Sequence, residues 1–218
     1  MSRKRVAVLI SGRGSNMAAL IEAAKAKDYP AEIALVVSNK PGAAGLGTAR
    51  AAGIVTEVVD SAAFGLERAA FERALQTVLE SHRIELVCLA GFMRLLTPWF
   101  VGQWQNRLLN IHPSLLPSFK GLDTHARALQ AGVKIHGATV HFVVPEMDSG
   151  PIVAQGAVAV NEDDTEATLA ARVLAVEHRI YPLALKLVAE GRVRIEGARC
   201  RISGSIPTDS VLLVPAVD

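Results

Sequence analysis

Short runs of aliphatic and β-branched residues alternate along the chain with longer stretches in which apolar positions recur at helical spacing. Strands are predicted at residues 6–10, 33–38, 55–59, 86–90, 108–111, 139–144 and 152–160, and helices at 16–27, 45–52, 64–82, 98–103, 124–131 and 165–190. Continuous apolar strands such as Val6-Ala7-Val8-Leu9-Ile10 suit burial on both faces. The fold class expected is α/β, an open, mostly parallel twisted sheet with helices on both faces in a Rossmann-like arrangement. The two strands around Pro145 and Gly150 read as an antiparallel addition in the C-terminal half. Asp164-Thr165-Glu166 starts the last helix and Gly191 stops it, with Pro182 expected to kink or break it. After Gly191 come one weak strand at 193–195 and a tail. No repeat or linker divides the chain, so a single domain over residues 1–218 is expected.

Two segments carry chemistry. In the first, Ser11-Gly12-Arg13-Gly14-Ser15-Asn16 joins a strand directly to a helix. Gly12 and Gly14 permit φ > 0 and close approach, the first helical amides point outward, and Ser15 and Asn16 add side-chain donors, which together suit an anion such as phosphate. A plain turn with Ser15 or Asn16 capping the helix explains the same residues. Position at the carboxyl end of the first strand favours the ligand reading. Neither the dinucleotide fingerprint nor the Walker loop is present, because Met17 stands at the third glycine and no Gly-Lys-Ser/Thr follows.

The second segment is Leu108-Leu109-Asn110-Ile111-His112-Pro113-Ser114-Leu115-Leu116-Pro117, a strand running into a loop stiffened by two prolines. Asn110 and His112 are two residues apart and face the same side of an extended strand. They offer an amide donor for a developing oxyanion and an imidazole that titrates near neutrality. Asp148, in the turn Glu146-Met147-Asp148-Ser149-Gly150, supplies a carboxylate able to pair with His112. Each residue also has a purely structural explanation, and spacing alone does not join the three.

Composition narrows the chemistry. Half the residues are hydrophobic, a fifth are charged, and the net charge of +2 is too mild for a polyanion partner, so no nucleic acid is expected. Cys88 and Cys200 are far apart and imply neither a disulfide framework nor a thiolate metal site. The six histidines show no His-Glu-x-x-His spacing, and His136 and His141 are expected on opposite faces of a strand, so no metal is predicted. A nucleophilic serine elbow is missing as well. Direct attack by a bound amine is the chemistry left. The apolar run after the basic N-terminus is too short to target or span a membrane, so a cytoplasmic protein without a membrane partner is expected.

Ser11 to Asn16, Ala90-Gly91-Phe92-Met93-Arg94, Asn110 to Pro117, His136-Gly137-Ala138-Thr139-Val140-His141 and Asp148-Ser149-Gly150-Pro151 occur in one order that resembles the folate-dependent phosphoribosylglycinamide formyltransferases. The resemblance runs from about Val6 to Glu190. It implies the formyltransferase fold, with glycinamide ribonucleotide and the cosubstrate 10-formyltetrahydrofolate meeting at the carboxyl ends of the strands. It implies catalytic roles for Asn110, His112 and Asp148, with Asn110 also contacting the folate. Gly14, Ser15, Asn16 and Glu177 match the ribonucleotide site, whose phosphate the glycine loop holds. Met93, Arg94, Leu95 and Leu96 match the stretch that recognises the pterin, and Arg68 matches a folate-side arginine in a loop that is one residue longer here. Lys120 and His125 fall in the family's mobile loop, where Asp123 departs from the usual pattern. Residues from about 1 to 100 would form a phosphate-binding half, those from about 101 to 191 a folate-binding and catalytic half, and 192–218 a tail, in a monomer or homodimer.

Three rivals share some of these features. Formyltetrahydrofolate hydrolase is expected to carry an N-terminal regulatory domain and methionyl-tRNA formyltransferase a basic C-terminal one, whereas this chain enters its first strand at Val6 and is short after Gly191. A non-catalytic folate- or nucleotide-binding protein would have no use for the full Asn110, His112 and Asp148 set. The phosphate loop makes its own prediction. Ser15→Asp, which puts a carboxylate where an anion should sit, is expected to raise KM for the ribonucleotide far more than KM for the folate. Steady-state kinetics with each substrate varied in turn checks this, and equal effects on both would reverse the assigned polarity of the cleft.

Overall fold

A computed structural model describes residues 3–204 and Val214, so most of the expected tail lies outside the described residues. Seven strands form one sheet: β1 (Lys4–Ile10), β2 (Ala31–Ser38), β3 (Val55–Val58), β4 (Leu86–Leu89), β5 (Leu108–His112), β6 (Ile135–Phe142) and β7 (Ile152–Ala159). Their spatial order is β3-β2-β1-β4-β5-β6-β7. The first five are parallel, while β6 runs antiparallel to β5 and β7 antiparallel to β6. This is the α/β sheet with antiparallel strands at its C-terminal side.

β1 shows why the sheet is buried on both faces. Val6, Val8 and Ile10 pack into one core, with Leu20 of α1 (Ser15–Ala23), Leu46 of α2 (Ala44–Ala51), Ala128 of α5 (Thr124–Gln130) and Tyr181 of α6 (Glu166–Ala189). Ala7 and Leu9, one residue out of phase, pack into the other, with Phe71 and Leu75 of α3 (Arg68–Ser81) and Phe100 of α4 (Pro98–Gln103). The period-two alternation of a strand thus feeds two helical layers from a single apolar run. Strand order reverses between β1 and β4, which opens a crevice at their carboxyl ends. Ser11, just past β1, closes the floor of that crevice by accepting a hydrogen bond from the Met93 amide at 2.8 Å and donating to Asn39 Oδ1 at 2.6 Å.

Local boundaries differ from expectation where backbone geometry overrides apolar spacing. The helix expected at 64–82 begins only at Arg68, because a 3₁₀ turn at Ser61–Phe64 ends on Gly65 at φ 52°. α1 stops at Ala23 rather than Lys27, and the chain turns so that Tyr29 is buried with its hydroxyl donating to the Pro182 carbonyl at 2.7 Å. β6 starts at Ile135, four residues before the expected strand, since its partner β7 extends that far. α6 is not broken at Pro182 but runs through it, held at its start by a Thr165–Thr168 capping box. The weak strand at 193–195 is half of a hairpin, β8 (Val193–Glu196) with β9 (Arg199–Ile202).

Close contact between β6 and β7 requires glycine at one position. A Cβ on Gly137 would lie 2.0 Å from the Gly156 carbonyl oxygen, far inside van der Waals contact. Gly137→Ala is expected to lower unfolding free energy by about 1–3 kcal/mol, the usual range for overpacking a dense core. Urea denaturation with an unchanged m-value checks this; a loss below roughly 0.5 kcal/mol would mean that the two strands part without strain.

Candidate active site

The register of β5 against β6 places the polar groups. Asn110 pairs with His141 and His112 with Thr139, so all four side chains share one face of the sheet. Asp148 reaches them from the β6–β7 turn, where its φ of 50° is a left-handed conformation that a short polar side chain tolerates. Asp148 Oδ2 lies 3.5 Å from His112 Nδ1 and accepts a hydrogen bond from the Gly121 amide at 2.9 Å, while Oδ1 lies 3.8 Å from His141 Nε2. Asn110, His112 and Asp148 are therefore brought together. The pair is sheltered, with side-chain exposures of 7% for His112 and 11% for Asp148, so water screens it weakly.

His112 Nε2 is engaged too, 3.0 Å from the Phe119 carbonyl oxygen. A carbonyl only accepts, so Nε2 carries the proton of that contact, and Nδ1 is the ring nitrogen that faces Asp148. The loop that supplies Phe119 is anchored from several directions. Thr139 Oγ1 donates to the Ser114 carbonyl at 2.7 Å and accepts from the Leu116 amide at 3.0 Å. Ser114 Oγ donates to the Ser118 carbonyl at 2.6 Å, and Lys120 Nζ donates to Ser149 Oγ at 2.6 Å. Beneath Phe119 lie His136 and His125, edge to face, and burial pushes the His136 imidazole down to about 4, so that it packs there as a neutral ring.

A second cluster forms at the start of α1. Gly14 takes φ 72° as the residue before the helix, which leaves the amides of Ser15 and Asn16 at its open N-terminus. Asn16 is buried, and its Nδ2 donates to Glu177 Oε2 of α6 at 2.5 Å, while its Oδ1 has no partner among the described residues. Glu177 is 7% exposed, and burial pushes its carboxyl above the usual range. Residues expected at the ribonucleotide site thus meet across 161 positions of sequence.

The expected folate stretch follows β4, and its Met93 amide is tied to Ser11 at the end of β1. Met93 and Leu95 are exposed, Leu96 packs against the second core, and the Arg94 guanidinium sits 4.9 Å above the Phe71 ring. Arg68 opens α3 one turn from Phe71 but is exposed and forms no side-chain hydrogen bond or ion pair among the described residues. Sequence reasoning assigned no role to His141, which the structure sets against both Asn110 and Asp148. The readable signal was its odd spacing from His136, which put the two on opposite faces; the strand register was not readable. Among the described residues no three His, Cys, Asp or Glu side chains are grouped to hold a metal, and no helix is long and apolar enough to cross a membrane.

The family described as formyl transferase matches residues 4–185. The trifunctional purine biosynthetic protein adenosine-3 of Gallus gallus is 52% identical over 194 residues, which is 89% of this chain but 19% of that protein, so the chain spans only a small part of such relatives. The phosphoribosylglycinamide formyltransferase of Escherichia coli is 46% identical over 87% of this chain and 89% of its own length. Among solved structures, glycinamide ribonucleotide transformylase 1 from Symbiobacterium toebii superposes with a TM-score of 0.89 at 48% identity, covering 92% of this chain and 94% of that one.

Glu177 generates a prediction with a definite sign. Its folded-state carboxyl titrates above the unfolded value, so the folded state is penalised once pH rises past the unfolded pKa and is free of the penalty below it. Glu177→Gln, which still offers Asn16 an acceptor, is expected to raise the melting temperature of the ligand-free protein at pH 7. The gain should vanish as pH falls below about 4.3, the ordinary glutamate value. Thermal melts of both proteins across that range decide it, and a variant less stable at pH 7 would show that the carboxylate is well solvated after all.

Proposed function

The chain belongs to the formyl transferase family, and from that premise we propose that it transfers the formyl group of 10-formyltetrahydrofolate to the amine of glycinamide ribonucleotide, giving formylglycinamide ribonucleotide and tetrahydrofolate in purine synthesis. The observation that carries the reading is the convergence of Asn110, His112 and Asp148 at the end of β5, in the same sheet whose β1 end carries the Gly14–Asn16 loop with Glu177 against it. That pairing suits a substrate with a phosphate at one end and an amine at the other.

The ribonucleotide phosphate binds at the amides of Gly14, Ser15 and Asn16, and Glu177 holds a polar group of the same substrate. The folate ring lies along residues 93–96, with Arg68 on the folate side. The amine attacks the formyl carbon, a C–N bond forms, and the carbonyl oxygen becomes an oxyanion to which Asn110 Nδ2 donates. His112, set between the Asp148 carboxylate and the Phe119 carbonyl, lies beside the same developing charge. It donates directly only after the Phe119 carbonyl releases Nε2. Collapse breaks the bond to N10 of the folate, and the proton lost by the amine passes to that nitrogen, with Asp148 and His112 beside the path. Asp148 orients the imidazole. The reaction is assigned to the cytoplasm and to a monomer or homodimer.

The test is to mix the protein with both substrates and follow the folate absorbance and the formylated product. Product formation is expected, and Asn110→Ala should lower kcat by about 10²–10³. Release of formate without the ribonucleotide would point to a hydrolase, and tight binding of both ligands without product to a binding protein.

A further inference from the structure

We propose that His141 is a positioning residue that fixes which end of the Asn110 amide faces the substrates, and that it does so as a neutral ring protonated on Nδ1. The inference rests on the formyl-transfer reading above, because it concerns the donor assigned to the oxyanion.

The argument begins with the Phe142 carbonyl, which lies 2.9 Å from His141 Nδ1. A carbonyl oxygen accepts only, so the proton is on Nδ1 and, in a neutral ring, the lone pair is on Nε2. His141 is 2% exposed, and its burial disfavours the charged ring. Asn110 Nδ2 lies 3.2 Å from that lone pair and donates one of its two protons to it. The opposite amide orientation would set Oδ1 against Nε2, acceptor against acceptor, with no bond formed. Because the two residues face each other directly across β5 and β6, the contact is built into the sheet and does not depend on a loop. One orientation is therefore selected before substrate arrives, and the second Nδ2 proton is left to donate to developing charge. That is the preorganisation an oxyanion donor needs.

The charged groups around the ring divide in a consistent way. Asp148 Oδ1 is 3.8 Å from Nε2, beyond hydrogen-bond distance, while Oδ2 accepts from the Gly121 amide and lies 3.5 Å from His112 Nδ1. A proton on His141 Nε2 would take away the acceptor for Asn110 and draw Asp148 from His112. Two histidines on adjacent strands thus have different partners, one between two acceptors and one between an acceptor and a donor.

Four measurements on the intact protein test this. In wild type, long-range ¹H–¹⁵N correlation of the histidine rings is expected to show His141 as the neutral Nδ1–H tautomer at pH 7; an Nε2–H tautomer or an imidazolium would overturn the proposal. His141→Phe, which keeps a ring but removes the acceptor, should lower kcat about tenfold or more while both KM values stay within about threefold, since only part of an oxyanion contribution on the order of 10²–10³ is lost when the donor is free to turn. His141→Gln, which can present an oxygen to Asn110 Nδ2, should recover a good share of kcat. The double variant Asn110→Ala/His141→Phe should turn over no more slowly than Asn110→Ala alone, since a positioning residue has nothing left to position. Multiplicative losses in that cycle would assign His141 a role apart from Asn110. Wild-type protein that makes no formylated product would instead overturn the formyl-transfer reading, whereas product formation with a multiplicative cycle overturns this inference alone.

Discussion

The antiparallel pairing of β5 with β6 is the constraint on which the site depends. A one-residue slip would turn every side chain of one strand to the other face and separate Asn110 from His141 and His112 from Thr139. The sheet's other pairings build a crevice; this one populates it. Thr139 shows how far the effect reaches. Its hydroxyl, placed opposite His112, binds both the Ser114 carbonyl and the Leu116 amide and so sets the course of the loop that returns over the imidazole. Gln155 of β7 donates to the same hydroxyl and to the Leu116 carbonyl, which ties the loop to a third strand.

Much of this fold is legible in the sequence because a strand buried on both faces has to be apolar without interruption. β4 meets that condition throughout, β1 from Val6 to Ile10 and β2 from Ile33 to Val37, and the positions of these runs follow directly. β9 does not, since Arg199-Cys200-Arg201-Ile202 alternates charge with apolar residues in an exposed hairpin, and nothing in its composition separates it from a loop. The start of α3 was obscured for a different reason. Phe64 continues the apolar spacing of the helix, yet it belongs to the turn before Gly65 and packs edge to face on Phe71 from outside the helix.

The candidate site was legible in its parts and not in its assembly. Asn110 and His112 share a strand, so their common face follows from period two. Asn16 and Glu177 belong to α1 and α6, and only the packing of those helices against each other joins them. His141 was hidden because its function lies in a register. The same histidine one residue earlier or later would look identical in composition and would face the helices on the other side.

The anchored loop from Ser118 to Gly121 has a consequence for the resting molecule. Phe119 presents an acceptor to His112 and Gly121 a donor to Asp148, so two adjacent peptide units supply groups that solvent would otherwise supply. A histidine and a carboxylate left open to bulk water would carry a hydration shell that any incoming reactant would have to strip away. Here the polypeptide itself is the occupant. Both backbone groups are held on one short segment, so a shift of that segment would vacate both places in a single movement.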